Sequence, residues 1–131
     1  MPQVSKLDHL VLTVMDVDRT IAFYTRVLGM QAQVLHPADG TMRTALQFGT
    51  QKINLHPAAA QFEPKATMPV AGSADICFLS DDDLTDWQAY FAAHDVAVID
   101  GPIARTGATG PILSLYIRDP DGNLIEVSNP A

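Results

Sequence analysis

Asp8-His9-Leu10-Val11-Leu12 and Ala74-Asp75-Ile76-Cys77-Phe78 open two halves of the chain that are built alike. Lys52-Ile53-Asn54-Leu55-His56 and Asn123-Leu124-Ile125-Glu126-Val127 occupy matching places near the ends of those halves. Placing Asp75 over His9 puts Ile76 on Leu10, Phe78 on Leu12, Asp82 on Asp16 and Tyr90 on Tyr24. Placing Glu126 over His56 puts Ile125 on Leu55 and Asp119-Pro120-Asp121 on Gly49-Thr50-Gln51. The repeat is structural, with a short insertion in the second copy. It sets His9, His56, Asp75 and Glu126 at equivalent strand positions, and all four side chains can bind a metal ion.

Around these strands each half reads as β-α-β-β-β. Leu7 to Val14 predicts a strand, and Asp16 or Asp18 can cap the helix that follows. Ile21, Tyr24 and Leu28 recur at helical spacing, with Gly29 as a left-handed stop. Strands are predicted at Gln31 to Leu35, Met42 to Phe48 and Lys52 to His56. In the second half Asp75 to Leu79 is a strand, and Ser80-Asp81-Asp82-Asp83 caps a helix with Leu84, Trp87, Tyr90 and Phe91 on one side. Val96 to Ile99, Ile112 to Arg118 and Asn123 to Ser128 follow as strands. Tyr24, Trp87 and Tyr90 read as core. The expected fold is α+β: module one at 5–56, a linker at 57–72 with three prolines, and module two at 73–129.

Strand parity divides the faces. Leu10, Leu12 and Val14 share one face with helix-covered aliphatics, as do Ile125 and Val127. His9, His56, Asp75 and Glu126 fall on the other. One helix covers one side of each small sheet, so paired half-barrels would present these residues to a cleft. Two imidazoles and one or two carboxylates suit zinc, nickel, cobalt, manganese or iron(II), one ion per site, better than calcium. A carboxylate such as Glu126 inside an apolar strand is costly unless paired.

The chain has 131 residues, 47% hydrophobic and 18% charged, with a formal net charge of −7. That charge disfavours nucleic acid or an anionic membrane as partner. No apolar run reaches the ~20 residues of a membrane span, and no signal-peptide core is seen at the N-terminus, so a cytoplasmic protein is expected. The single Cys77 lies in an apolar strand and reads as a buried core thiol. No nucleotide-binding glycine motif is present.

The βαβββ order taken twice, with Asp8-His9-Leu10-Val11-Leu12, Phe23-Tyr24-Thr25-Arg26-Val27-Leu28-Gly29-Met30 and Asp119-Pro120-Asp121-Gly122-Asn123-Leu124-Ile125-Glu126, resembles the vicinal oxygen chelate superfamily. That superfamily includes glyoxalase I, methylmalonyl-CoA epimerase, fosfomycin-resistance transferases, extradiol dioxygenases and bleomycin-resistance proteins. More narrowly, Asn54-Leu55-His56, Phe62-Glu63-Pro64-Lys65-Ala66, Arg105-Thr106-Gly107-Ala108 and Gly110-Pro111-Ile112 resemble the glyoxalase domain-containing protein 5 or virulence-protein-like subgroup. The resemblance implies that His9 and Glu126 are the first and last metal ligands. His56 takes a position held by Glu or Gln in glyoxalase I, and Asp75 one usually held by a second His. Either four ligands result, or a His-His-Glu set without Asp75. The resemblance also implies a homodimer, and a general-base role for Glu126 or Asp75.

Three further residues are expected to face the substrate: Ser114 and Tyr116 by strand parity, and Arg105 from a Gly-rich loop, where it could bind a carboxylate or phosphate. Arg118 is expected to brace the turn after it. The leading expectation is a divalent-metal-dependent lyase or isomerase of glyoxalase type, holding a small substrate through neighbouring oxygens. The rivals are an iron(II) extradiol-type dioxygenase, and a binding protein that sequesters a small molecule or drug without chemistry.

Overall fold

Apolar alternation on four strands and one N-capped helix build each half of the chain. A computed structural model describes residues 1–131. The chain divides into two units, Met1–Ala71 and Gly72–Ala131. Neither helix is long and apolar enough to cross a membrane.

The first module runs β1 (His9–Val14), α1 (Val17–Leu28), β2 (Gln31–Leu35), β3 (Arg43–Phe48) and β4 (Gln51–Pro57). Its sheet has the order β1-β4-β3-β2, with β1 and β4 parallel and the other pairs antiparallel. Asp16 starts α1: its carboxylate accepts the backbone N–H of Arg19 at 3.0 Å. Gly29 ends it at φ 70°, where a side chain would be strained. Thr20, Tyr24 and Val27 are buried on the helix, and Leu12, Val14, Leu46, Ile53 and Leu55 are buried in the sheet.

The second module repeats the plan as β5 (Asp75–Leu79), α2 (Leu84–Ala93), β6 (Asp100–Thr106), β7 (Pro111–Arg118) and β8 (Leu124–Pro130). The strand order is β5-β8-β7-β6, again with a parallel first pair. Asp83 caps α2 by accepting the N–H of Thr85 at 2.8 Å. Leu84, Phe91, Leu115, Ile117, Ile125 and Val127 form the core. Each such side chain contributes about 1.5–3 kcal/mol on burial. Ile125→Ala would cost about 2–5 kcal/mol by removing a fully buried side chain.

Two sequence expectations fail here. The strand predicted at Val96 to Ile99 lies instead at Asp100–Thr106. Gly101 and Pro102 look like a turn, but β6 is an edge strand with a register shift between Asp100 and Ile103, where both residues are tolerated. Arg105 therefore stands on a strand, and only the turn after Thr106 is loop. The second correction concerns α2, where only Leu84 and Phe91 are buried. Trp87 is half-buried and donates its indole N–H to Ser80 Oγ at 2.8 Å. Tyr90 is exposed and stacks on His94. Tyr24 is core, as expected.

Candidate functional site

In module two the face opposite α2 carries Asp75, Cys77, Ser114, Tyr116, Glu126 and Ser128. Register fixes this: Cys77 pairs with Glu126, Tyr116 with Glu126, and Ser114 with Ser128. Ser114 Oγ donates to Glu126 Oε2, and lies 2.7 Å from Ser128 Oγ. Cys77 Sγ lies 3.3 Å from Ser128 Oγ. Donor counting orients the chain. An ionised carboxylate only accepts, so the single Ser114 proton goes to Glu126. Ser128 then donates to Ser114, and the Cys77 thiol donates to Ser128. The thiol can do so because desolvation pushes it up from its ordinary value, with the Glu126 and Asp75 carboxylates adding to the rise. Cys77 is exposed on this face, which corrects the expected core thiol.

Ser114 and Ser128 are fully buried. Ser114 is thus unavailable to a substrate, against expectation; it acts by holding Glu126. The same bond offsets the cost of placing a carboxylate inside an apolar strand. Asn123, also fully buried, is held by Asp119 and accepts the Ala74 N–H at 2.9 Å. That bond fixes the chain where Asp75 begins β5. Asp75 itself is exposed.

Two cavities open on this face. The larger, of about 570 Å³, is walled by Cys77, Leu79, Ile112, Pro130 and the 107–110 turn. The smaller, of about 390 Å³, is walled by Asp75, Asp100, Tyr116, Arg118 and Leu124. Arg105 and Glu126 line both. Arg105 Nε donates to the Tyr116 hydroxyl at 3.0 Å. Arg118 Nη1 donates to the Gly122 carbonyl at 3.3 Å, bracing the turn as expected. Gly107 lets the 107–110 turn close on Ile112: a Cβ there would lie 2.8 Å from the Gly110 carbonyl oxygen and 2.9 Å from Ile112 Cγ2.

In module one the face opposite α1 carries His9, Asn54, His56 and Arg43. His9 is exposed, with Nδ1 2.9 Å from Asp8 Oδ2. The carboxylate can only accept, so the ring proton sits on Nδ1 and the Nε2 lone pair is left for a ligand. The same bond draws the Asp8 carboxyl below its ordinary range. His56 is buried edge-to-face on Phe62, 5.1 Å between centroids, and the Arg43 guanidinium lies 4.1 Å from the centre of that Phe62 ring. Desolvation, then the charge of Arg43, holds the His56 imidazole below its ordinary pKa, so it is neutral near pH 7.

Ladder register corrects the equivalence drawn between His56 and Glu126. Glu126 stands opposite Cys77, two residues after Asp75. The residue opposite Val11, two after His9, is Asn54. Asn54 is therefore the counterpart of Glu126, and His56 that of Ser128. His9 pairs with Lys52 and His56 with Thr13, so the two histidines share a face but stand four residues apart along the ladder, about 13 Å. Asn54 Oδ1 is buried and accepts no hydrogen bond. Within either module no three His, Cys, Asp or Glu side chains gather at a metal-binding distance. Each module instead supplies a pair: His9 with Asn54, and Asp75 with Glu126. The unpartnered amide oxygen and the imidazole with a directed lone pair in module one, and the two carboxylates in module two, are each donor types that a divalent cation accepts.

The family model described as the Glyoxalase/Bleomycin resistance protein/Dioxygenase superfamily matches residues 6–127. The chain belongs to that superfamily. It is 53% identical over 126 residues to the glyoxalase domain-containing protein RDO1 of Mycosarcoma maydis, covering 96% of this chain and 69% of that protein. It is similar to the crystal structure of virulence protein STM3117 from Salmonella typhimurium, with a TM-score of 0.91 and 47% identity over 99% of this chain and 100% of that one. It is also similar to the crystal structure of lactoylglutathione lyase from Agrobacterium tumefaciens, with a TM-score of 0.69 and 25% identity over 97% and 95% of the two chains.

Proposed function

We propose that this member of the glyoxalase, bleomycin resistance and dioxygenase superfamily is a divalent-metal-dependent lyase or isomerase acting on a small substrate that offers two neighbouring oxygens. The observation that carries the reading is Glu126: Ser114 occupies its Oε2, while the carboxylate borders both cavities and shares the smaller one with Asp75. The likeness to a lactoylglutathione lyase supports the reaction class.

The ligands in this reading are His9, Asp75 and Glu126, with Asn54 at the register position and His56 as the alternative to it. When bound, the ion supplies Lewis-acid stabilisation of an oxyanion on the substrate. The protein's own groups do the rest. Ser114 keeps Glu126 in one orientation. Glu126 or Asp75 takes the proton from the substrate carbon, as a carboxylate within reach of the smaller cavity can. Tyr116 and Arg105 face the substrate. The sheet edges at β1 and β5 fit assembly as a twofold homodimer, which light scattering reads directly.

The test is metal analysis of protein purified without chelator, followed by a screen of α-hydroxycarbonyl substrates in deuterium oxide under air and under argon. Deuterium incorporation that needs metal but not oxygen is expected, and Glu126→Gln should abolish it. Turnover only with iron(II) and oxygen would move the protein to the dioxygenase reading. Saturable binding with no turnover would move it to the sequestering one.

A further inference from the structure

Arg105 forms no ion pair: its guanidinium lies 5.6 Å from the centre of the Tyr116 ring, and the Asp100 and Glu126 carboxylates act on it only at longer range. The ion pairs within the modules join Asp8 to His9, Asp39 to Arg43 and Glu63 to Lys65; none includes Arg105. Its Nε is committed to the Tyr116 hydroxyl, and Nη1 makes only a 3.5 Å contact with the neighbouring Ala104 carbonyl. A guanidinium fixed at Nε presents its two terminal nitrogens in a set plane, the form suited to a two-oxygen anion. Arg105 and Glu126 are the two residues common to both cavities, so they stand where one meets the other.

The cavities differ in chemistry. In the larger, Arg105 and Glu126 are the only charged side chains, and Leu79, Ala108, Pro111, Ile112 and Pro130 supply apolar walls. In the smaller, Asp75, Asp100 and Glu126 outnumber Arg105 and Arg118. A free anion is repelled from that side, whereas a cation or a hydroxyl is welcome there. A ligand that satisfies all three surroundings has a carboxylate for Arg105, a neutral oxygen beside it for the acidic side, and a hydrocarbon tail for the larger cavity. At about 570 Å³ the larger cavity is within the usual range for a small-molecule site.

We propose that the ligand of this face is a 2-hydroxy or 2-oxo carboxylic acid bearing an apolar chain, with its carboxylate on Arg105 and its chain in the larger cavity. The α-oxygen part of this assignment rests on the chelating function proposed above. The carboxylate and chain parts rest on Arg105 and the cavity walls alone.

The test is calorimetric titration of the whole protein with 2-hydroxyoctanoate, octane-1,2-diol and lactate, each with and without added Mn(II), beside a separate Mn(II) titration. Wild-type protein is expected to bind 2-hydroxyoctanoate about tenfold or more tighter than either the uncharged diol or the tailless acid, a difference of about 1.4 kcal/mol. Arg105→Gln should erase the preference for acid over diol, and Arg105→Lys should retain part of it. Leu79→Asn, at an exposed position, should weaken 2-hydroxyoctanoate but not lactate. Unchanged melting temperatures establish that the variants are folded. Equal affinity for acid and diol in the wild type, or equal losses for both in Arg105→Gln, would overturn the proposal whatever Mn(II) does. A preference that persists without Mn(II), in a protein that binds no Mn(II), would keep the acid subsite and remove the metal reading instead.

Discussion

Module one and module two use the same ladder for different ends. In both, the parallel first pair and two antiparallel strands bring one side chain of the last strand beside the second residue after the one that opens the first strand: Asn54 beside Val11, Glu126 beside Cys77. In module two that side chain is a carboxylate anchored by a buried hydroxyl pair, Ser114 and Ser128. In module one it is a neutral amide whose oxygen has no partner, and the places of Ser114 and Ser128 are taken by Arg43 and His56. Module two therefore holds an anion firmly in place. Module one offers a neutral oxygen beside a cation and an uncharged imidazole. Under the proposed function, one backbone plan with two side-chain sets would divide the work: charge and proton transfer on one face, neutral ligation on the other.

The widest separation between the modules should appear in metal affinity. Glu126→Gln removes the one anchored anionic donor and should lower divalent-metal affinity by about two orders of magnitude or more, with turnover lost. Asn54→Ala removes a neutral donor and should cost about tenfold. His56→Ala decides between the two module-one candidates. Register leads us to expect that it affects metal affinity less than Asn54→Ala does. Calorimetric Mn(II) or Zn(II) titrations of the three variants check the order, and a larger loss at His56 than at Asn54 would restore the histidine as ligand.

Ser114→Ala probes the anchoring that module one lacks. It removes the partner shared by the half-buried Glu126 carboxylate and the Ser128 hydroxyl and leaves their own 3.5 Å contact, a cost of about 1 kcal/mol in stability. Metal affinity should fall about tenfold, because the carboxylate must be ordered on binding. Ser114→Thr, which keeps the hydroxyl, should recover most of the affinity. Loss of stability with unchanged affinity would make Ser114 structural only. Asp8→Asn is the corresponding change in module one. Asp8 is exposed, so the expected effect is less than tenfold in affinity with stability unmoved.

These contrasts also mark how far the sequence could be read. The repeat, both helices, their Asp16 and Asp83 caps and seven of the eight strands follow from apolar period and turn residues. Strand parity placed His9, His56, Asp75, Tyr116 and Glu126 on the correct faces. It could not place them along the strand. A slide of two residues leaves every side chain on its face, so Leu55 could be laid on Ile125 without any break in the pattern. Only hydrogen-bond register shows that Asn54 is the counterpart of Glu126. Edge strand β6 was hidden by Gly101 and Pro102, which elsewhere mark turns. Ser128 and Asn123 were missed because a hydroxyl or amide in a strand looks neutral until its partner is known. The Asp8-His9 dipeptide was visible and could have been read as a ligand with its orienting carboxylate.

The smallest expected effect is a difference in how the modules respond to acid. His56 stands where module two has Ser128, which has no charge to gain. In the unfolded chain His56 takes up a proton near its ordinary value of about 6.5. In the folded chain desolvation, then Arg43, holds it below that value. Between those two values the unfolded state binds more protons than the folded one, so stability rises with pH across the window. The contribution is fully present above about pH 6.5, is lost as pH falls toward the folded value, and changes no further below it. Asp8, Asp39 and Asp83 are also shifted, but downward from 3.8, so their losses come at more acid pH. Urea midpoints measured from about pH 8 to pH 5 should therefore fall in wild type and fall less in His56→Gln, whose amide keeps a polar ring-sized group without a titrating nitrogen. Curves that run parallel across that range would mean that His56 is as easily protonated in the folded module as in the open chain. Module one's face would then gain a second positive charge, beside that of Arg43, at mildly acid pH, and the uncharged imidazole that sets it apart from module two would be lost there.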